Sequence, residues 1–381
     1  MRKGRVTRFL IIAGCVFLIA AVAVFVGGMS AAGWDFSALN TVRYEQREFL
    51  ADEGAAVESL NVRYGNADVI VRYSAGTQRV RVSYPERVNA DGEVIAPVAV
   101  RLEGGVLTVT EGETEGFFGT IFQWNLSQPA LTVELPAQTV CALDISTGNG
   151  DILLESADEG AATAAKTVRL TSGNGDVRIA ASASLSAEQA ELTSRNGAVS
   201  AEHLSAASIE LHSDNGRVNA DAVSAAEALT LKTDNGKVTA RGVSAAALEC
   251  DSDNGSIRIE DAQTERIGVT TDNGDAVFAG AVRAAAFACE TETGDIRVEE
   301  GGLLDADELT LTTDTGDIEV RGALAGSRGE YTLFIITDTG SSDIPRSLQD
   351  GQVRRAIPTV FQQAVAQVFK RANLAVPDAD A

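Results

Sequence analysis

The chain has 381 residues, 45% of them hydrophobic but only 5% aromatic, and a formal net charge of −23. The charge argues against a nucleic-acid partner, since phosphate contacts need clustered Lys and Arg, and against lying flat on an anionic membrane surface. A β-patterned chain so poor in aromatics points to a repetitive fold rather than a compact enzyme core.

In chain order, Arg2, Lys3, Arg5 and Arg8 form a basic tail (1–8) ahead of an uncharged apolar run from Phe9 to Gly28. Twenty apolar residues suffice to cross a bilayer, and the basic flank stays in the cytoplasm. The expectation is a single-pass transmembrane helix over 9–28, a linker over 29–57, and everything beyond outside the cytoplasm at the cell membrane. A cleaved signal peptide is the rival reading, because "SAA" (30–32) resembles a cleavage site, but the apolar run exceeds the usual h-region. "IAGC" (12–15) resembles a lipobox, yet the apolar run continues past Cys15, which reads as a buried membrane residue.

Residues 58–137 are β-patterned but irregular. "ESLNVRYGNADVIVRYS" (58–74) has the two-strand look of one coil, and "VAVRLEGGVLTVTEG" (98–112) reads as a hairpin around Gly104-Gly105. "ALTVELPA" (130–137) is expected to lead into the first clear coil. Phe117, Phe118, Phe122 and Trp124 form an aromatic cluster, read as a plug for the N-terminal end and alternatively as a sugar-stacking surface.

From 138 to 344 one phrase returns, as in "LKTDNGKVTA" (231–240). Its Gly falls at 150, 175, 197, 216, 236, 255, 274, 294, 316 and 340, with central steps of 19 or 20 residues. A period held over ten copies is an internal repeat. Seven and five residues before the Gly, and two after, the positions are almost all apolar. Three before it is always Ser or Thr, from Thr147 to Thr337. Apolar positions two apart mark strands on both sides of a turn. Thr replaces Asn before the Gly at 293, 315 and 339, which disfavours a type I′ hairpin. It favours a type II corner with only the Gly at positive φ. Asn149, Asn174, Asn196, Asn215, Asn235, Asn254 and Asn273 would stack and hydrogen-bond up the column. The fold class expected is all-β, a parallel β-solenoid (β-helix) of about ten coils, whose ten corners imply a stack roughly 43 Å tall. Residues 345–381 leave the pattern. Val360, Phe361, Ala364, Val365, Val368, Phe369 and Ala372 sit at helical spacing and read as an amphipathic cap or tail.

The "TDNGDI"-like corners, the "LTVELP" strand and the N-terminal anchor together resemble bacterial putative-adhesin domains of unknown function, over about residues 58–344. The resemblance implies a surface-exposed, non-enzymatic β-solenoid of the cell envelope, with some members tied to envelope stress. Its motif is structural and specifies fold better than activity.

Cys250 and Cys289 share a column two coils apart, beyond the roughly 7 Å limit of a disulfide, and read as core hydrophobes; Cys141 has no partner. His203 and His212 lack metal-pair spacing, and no catalytic histidine is expected. An acidic ladder flanks the corners: Asp272, Glu292 and Asp314 before the Gly, Asp275, Asp295 and Asp317 after it. Carboxylates so placed repel, so calcium is the candidate cofactor. The plainer reading is Asp as a turn residue on a solvated edge, with no cofactor. The function expected is an adhesin-like or stress-linked binding module, its partner a cell-wall polymer or another envelope protein. A self-assembling scaffold and a polysaccharide lyase or hydrolase are the alternatives, the last disfavoured by near-minimal coils without aromatics.

Overall fold

The computed structural model describes residues 2–31, 33–34, 42–89, 91–112, 128–158, 162–326 and 332–343; in the N-terminal helix, side chains are described at residue 14 and from 16 onward. The aromatic cluster at 117–124 and the segment 345–381 lie outside the described residues. The chain divides into two compact units. One comprises Met1–Arg47, Tyr84–Val98 and Glu111–Pro129; the other comprises Glu48–Ser83, Ala99–Thr110 and Ala130–Ala381.

The first unit contains a helix over Arg2–Ala31, longer at both ends than the apolar run alone. It ends where Gly33 and Trp34 turn left-handed (φ 64° and 63°), and Trp34 N–H donates to the Met29 carbonyl at 2.7 Å. Most of its described apolar side chains, among them Phe17, Leu18, Ile19, Val24 and Phe25, are exposed, and Met29 is buried. Among the described residues no helix is long and apolar enough to cross a membrane. The segment expected to be a linker carries a strand, Val42–Leu50. Farther on, Arg87 pairs with Ala96 and Val88 with Val94 in an antiparallel ribbon.

The second unit is the solenoid, about nine turns of parallel β-structure. Each regular coil contributes to three faces. On the first face Ala142–Thr147, Thr167–Ser172 and Gln189–Ser194 pair in parallel, with Leu143, Val168 and Ala190 in register. On the second, Ile152, Val177 and Val199 are in register. On the third, Thr163 stands over Leu185 and Leu185 over Leu204. Alternate residues point inward, so the apolar columns read from the sequence are the core: Ile145, Leu170, Leu192, Leu211 and Leu231 are fully buried. The coil over 276–293 departs from its neighbours in a compensating way. Ala276 stands where others have Ile or Val, and Phe278 and Phe287 fill the space in an edge-to-face pair with centroids 4.9 Å apart.

Two expectations are corrected. First, residues 130–137 do not lead directly into the coil at 142–156. The coil at 59–74 lies between them, pairing with Val106–Glu111 and Leu131–Pro136 on one side and with Ala142–Thr147 and Ile152–Ser156 on the other. All three segments share one alternation, so pattern alone does not order them. Arg81, Val82 and Ser83 run antiparallel to Glu134, Val133 and Thr132, which closes that edge of the stack.

Second, the corner glycines are not at positive φ from Gly150 to Gly274, and at Gly294 and Gly316 φ is 157°, close to extended. The left-handed residues stand at another corner, where His203, Ala222, Gly242, Asp261 and Gly280 have φ between 52° and 60°. From the coil at 273 onward the residue before the Gly is in a strand: Asn273 pairs with Thr293, Thr293 with Thr315, and Thr315 with Thr339. Extended backbone suits a β-branched residue, which is why Thr can replace Asn there. The left-handed corner has a measurable consequence. Ala222 carries a Cβ where Gly242 and Gly280 do not, so Ala222→Gly should stabilise the protein by about 0.5 kcal/mol, the relief of left-handed strain less the added chain entropy. The shift of the urea midpoint measures it.

Candidate functional site

The repeated polar residues converge on the corner, and each has a partner one coil away. Gly175 N–H donates to Ser172 Oγ at 2.9 Å, and that hydroxyl donates to the Gly150 carbonyl at 2.8 Å. The same relay joins Gly197, Ser194 and Gly175, then Gly216, Ser213 and Gly197. The hydroxyl-to-carbonyl step continues as far as Thr337, which donates to the Gly316 carbonyl at 3.1 Å. These hydroxyls lie in the core, Ser194 and Ser213 wholly buried. An unpaired hydroxyl there would be costly, so the invariance of Ser or Thr follows from the stack.

Close approach also explains the glycines. A Cβ built on Gly175, Gly197, Gly216, Gly236 or Gly255 would meet the carbonyl oxygen of the preceding corner Gly well inside 3 Å. Distance, rather than φ, excludes every other residue.

The asparagines form the expected ladder. Each side-chain N–H donates to the carbonyl oxygen of the Asn one coil earlier, from Asn174 on Asn149 at 2.5 Å to Asn273 on Asn254 at 3.2 Å. The ladder starts one coil sooner than the sequence repeat, since Asn149 donates to Asn66. That corner reads "YGNADV", with Ala67 in the Gly position, and the substitution hid it from the Gly alignment.

The acidic ladder is divided by the corner. Asp275, Asp295 and Asp317 accept backbone N–H groups from the next coil: Asp295 N–H on Asp275 at 3.0 Å, Asp317 N–H on Asp295 at 2.8 Å, Ser341 N–H on Asp317 at 2.7 Å. Asp68, Asp151 and Asp176 do the same at the other end of the stack. Arg297 ion-pairs with both Asp275 and Asp295. Asp272, Glu292 and Asp314 stand before the Gly and share none of these bonds. Among the described residues no group of three or more His, Cys, Asp or Glu side chains is placed to hold a metal ion.

The hydrogen bonds from Ser341 hold the Asp317 carboxyl below its usual range, and Arg258 does the same for Glu299. Both pKa values are depressed in the folded chain, so each contribution is present above the ordinary carboxylate pKa, near 4, and is lost as pH falls through the lower folded value. Acidification should therefore weaken the Ser341–Asp317 and Arg258–Glu299 contacts, which hydrogen exchange at Ser341 and its neighbours at stepped pH would detect.

The remaining candidates are dispersed. Cys250 faces Val269 and Val269 faces Cys289, so the two cysteines are two coils apart. Burial raises both thiols strongly and pushes Cys141 up to about 11. In the folded chain these three should resist a thiol reagent at neutral pH and all react once it is denatured. His212 Nε2 lies 3.0 Å from Asp214 Oδ1, whereas His203 is in the left-handed corner.

What the corners leave free is the outer surface of the first face. There a shallow trough of about 500 Å³ crosses five coils, lined by Asp144, Arg169, Gln189, Glu191, Ser208, Glu210 and Thr230. Arg169 and Glu191, in register on adjacent coils, pair along it at 2.7 Å. Its lining comes from two outward columns, Ala142, Thr167, Gln189, Ser208 and Ala228 in one and Asp144, Arg169, Glu191, Glu210 and Thr230 in the other. The sequence shows the columns but not the depression they line.

A parallel three-faced solenoid whose polar repeats are consumed in joining its own coils defines a repeat scaffold with its free chemistry on the outside. The chain belongs to the Toastrack DUF4097 family, whose model matches residues 57–228 and 222–368. No curated protein matches it. Among solved structures it is similar to a "putative adhesin" from Parabacteroides merdae, at 12% identity over 79% of this chain and 97% of that one (TM-score 0.34). It is similar also to a "putative lipid binding protein" from Parabacteroides distasonis, at 13% identity over 80% and 97% (TM-score 0.31). A third is a "putative cell adhesion protein" from Clostridium sporogenes, at 8% identity over 79% and 100% (TM-score 0.23).

Proposed function

We propose that this chain is a non-enzymatic binding module of the bacterial cell envelope, tethered to the cell membrane by its N-terminal helix and presenting the solenoid outside the cytoplasm. The observation that carries the reading is the use of the repeated side chains. Ser, Thr, Asn and, at five of the ten corners, the Asp after the Gly are committed to neighbouring coils, while the trough from Asp144 to Thr230 offers hydrogen-bonding and charged groups to a partner. A trough crossing several coils suits an extended ligand such as a cell-wall polymer or a segment of another envelope protein. The exposed apolar side chains of the helix, Phe17 at 78% among them, support membrane contact, and the basic residues before it support a cytoplasmic N-terminus. Arg297 ion-pairs with both Asp275 and Asp295 and offsets part of their charge, which supports binding without calcium.

Co-sedimentation of the full chain in detergent with purified cell-wall material, with calcium and again with a chelator, tests this. Saturable binding in both conditions is expected. Binding lost on chelation would make calcium a cofactor after all, and no binding in either condition would contradict the adhesion reading.

A further inference from the structure

We propose that the middle of the stack carries an anion site at the start of the second face, where Arg217 and Lys237 stand, and that it takes the carboxylates of a ligand. The observation behind it is a break in a repeated bond. Just after the corner Gly, an Asp of one coil accepts the N–H of the residue in the same position one coil on. Asp151 N–H donates to Asp68 at 2.9 Å, Asp176 N–H to Asp151 at 2.7 Å and Ala198 N–H to Asp176 at 2.7 Å. The row resumes with Asp295 N–H on Asp275 and runs to Ser341. Between these stretches the position is held by Ala198, Arg217, Lys237 and Ser256, none of them a carboxylate. The N–H groups of Arg217, Lys237, Ser256 and Asp275 therefore meet no Asp, and none of the four has a hydrogen-bond acceptor among the described residues.

Their backbone is otherwise held as in the flanking coils. Val199 N–H donates to the Arg217 carbonyl at 2.9 Å and Val218 N–H to the Lys237 carbonyl at 2.9 Å, just as Ile152 N–H donates to Asp176 at 2.8 Å. Arg217 and Lys237 thus stand on adjacent coils, about 4.8 Å apart along the stack. Both are exposed, and neither makes an ion pair among the described residues. Two cations so close repel each other, although the chain as a whole carries a net charge of −23. Asp214 and Asp234 belong to the same corners but stand before the Gly, beyond the Asn ladder, and Asp214 is bonded to His212 at 3.0 Å. Backbone N–H groups in a row with cationic side chains alongside form an anion-binding arrangement. The flanking coils show which anion suits it, since the acceptor at this N–H is there a carboxylate oxygen at 2.7–3.0 Å. A ligand's carboxylates take the place that Asp takes elsewhere, with Arg217 and Lys237 as countercharge. Because the N–H groups repeat coil by coil, the ligand class is a polymer with a carboxylate on each unit. The site is apart from the trough and does not rest on it.

The test is calorimetric titration of the full chain in detergent with a galacturonate oligomer and with the neutral galactose oligomer, at about 0.15 M salt to screen long-range repulsion. The wild type should bind the acidic oligomer saturably and the neutral one not at all. Binding should also slow hydrogen exchange in the peptides that carry Arg217, Lys237 and Ser256. Arg217→Asp/Lys237→Asp restores the acceptor of the flanking coils and should weaken binding about tenfold or more. Arg217→Gln/Lys237→Gln leaves the N–H groups open and should weaken it less. Arg101→Asp/Arg266→Asp makes the same change of net charge elsewhere and should bind as the wild type does. No binding by the wild type, equal binding of the neutral oligomer, or equal weakening in the Arg101 and Arg266 variant would overturn the proposal.

Discussion

Gly216→Ala is expected to disrupt the stack at the coil that carries it, costing about 3 kcal/mol or more as backbone overpacking. The added methyl would meet the Gly197 carbonyl oxygen well inside 3 Å and Ser213 Oγ at 2.8 Å. Neither can step aside, because that hydroxyl and that carbonyl are bonded to each other at 2.8 Å. Total stabilities are of the order of 5–15 kcal/mol, so a single methyl removes a large share. Gly268→Ala is the control. It lies in a strand with nothing within 4 Å of the new Cβ, and there the usual strand penalty of Gly predicts a gain of about 0.5–1 kcal/mol. Urea unfolding of the two variants should move in opposite directions.

Ser213→Ala should cost about 1–3 kcal/mol, since it leaves the Gly216 N–H and the Gly197 carbonyl without their shared partner in a wholly buried position. Ser213→Thr should be nearly neutral, because Thr233 makes the same bond to the Gly216 carbonyl one coil on. If the two variants melt alike, the relay is not what holds the corner. A loss confined to Ser213→Ala separates the hydroxyl from the volume of the side chain.

Much of this architecture is legible in the sequence because each coil restates it. The period, the inward columns and the Asn ladder are all visible in residue spacing alone. The reason for the glycines is not, since Asn-Gly at a turn points to positive φ, whereas the constraint is a carbonyl 19 or 20 residues away. Ala67 shows the same limit from the other side. That corner carries Ala67 in place of the aligned Gly, so alignment on Gly omits Asn66, though Asn149 donates to it. Coil order at the N-terminal end is hidden for a different reason, as three segments with equal alternation fit the same faces. The trough is hidden because its lining comes from residues 142 to 230, on five coils that only the register brings side by side.

The most direct test of the division between structural corners and a binding outer face is to measure cell-wall binding by the full chain in two variants. Asp275→Asn/Asp295→Asn keeps acceptors for the backbone N–H groups while removing corner charge. Ser208→Arg/Glu210→Arg fills the trough. The account predicts that the first variant binds as the wild type does and the second loses about tenfold or more in affinity, some 1.4 kcal/mol. Binding lost in the corner variant and kept in the trough variant would contradict it.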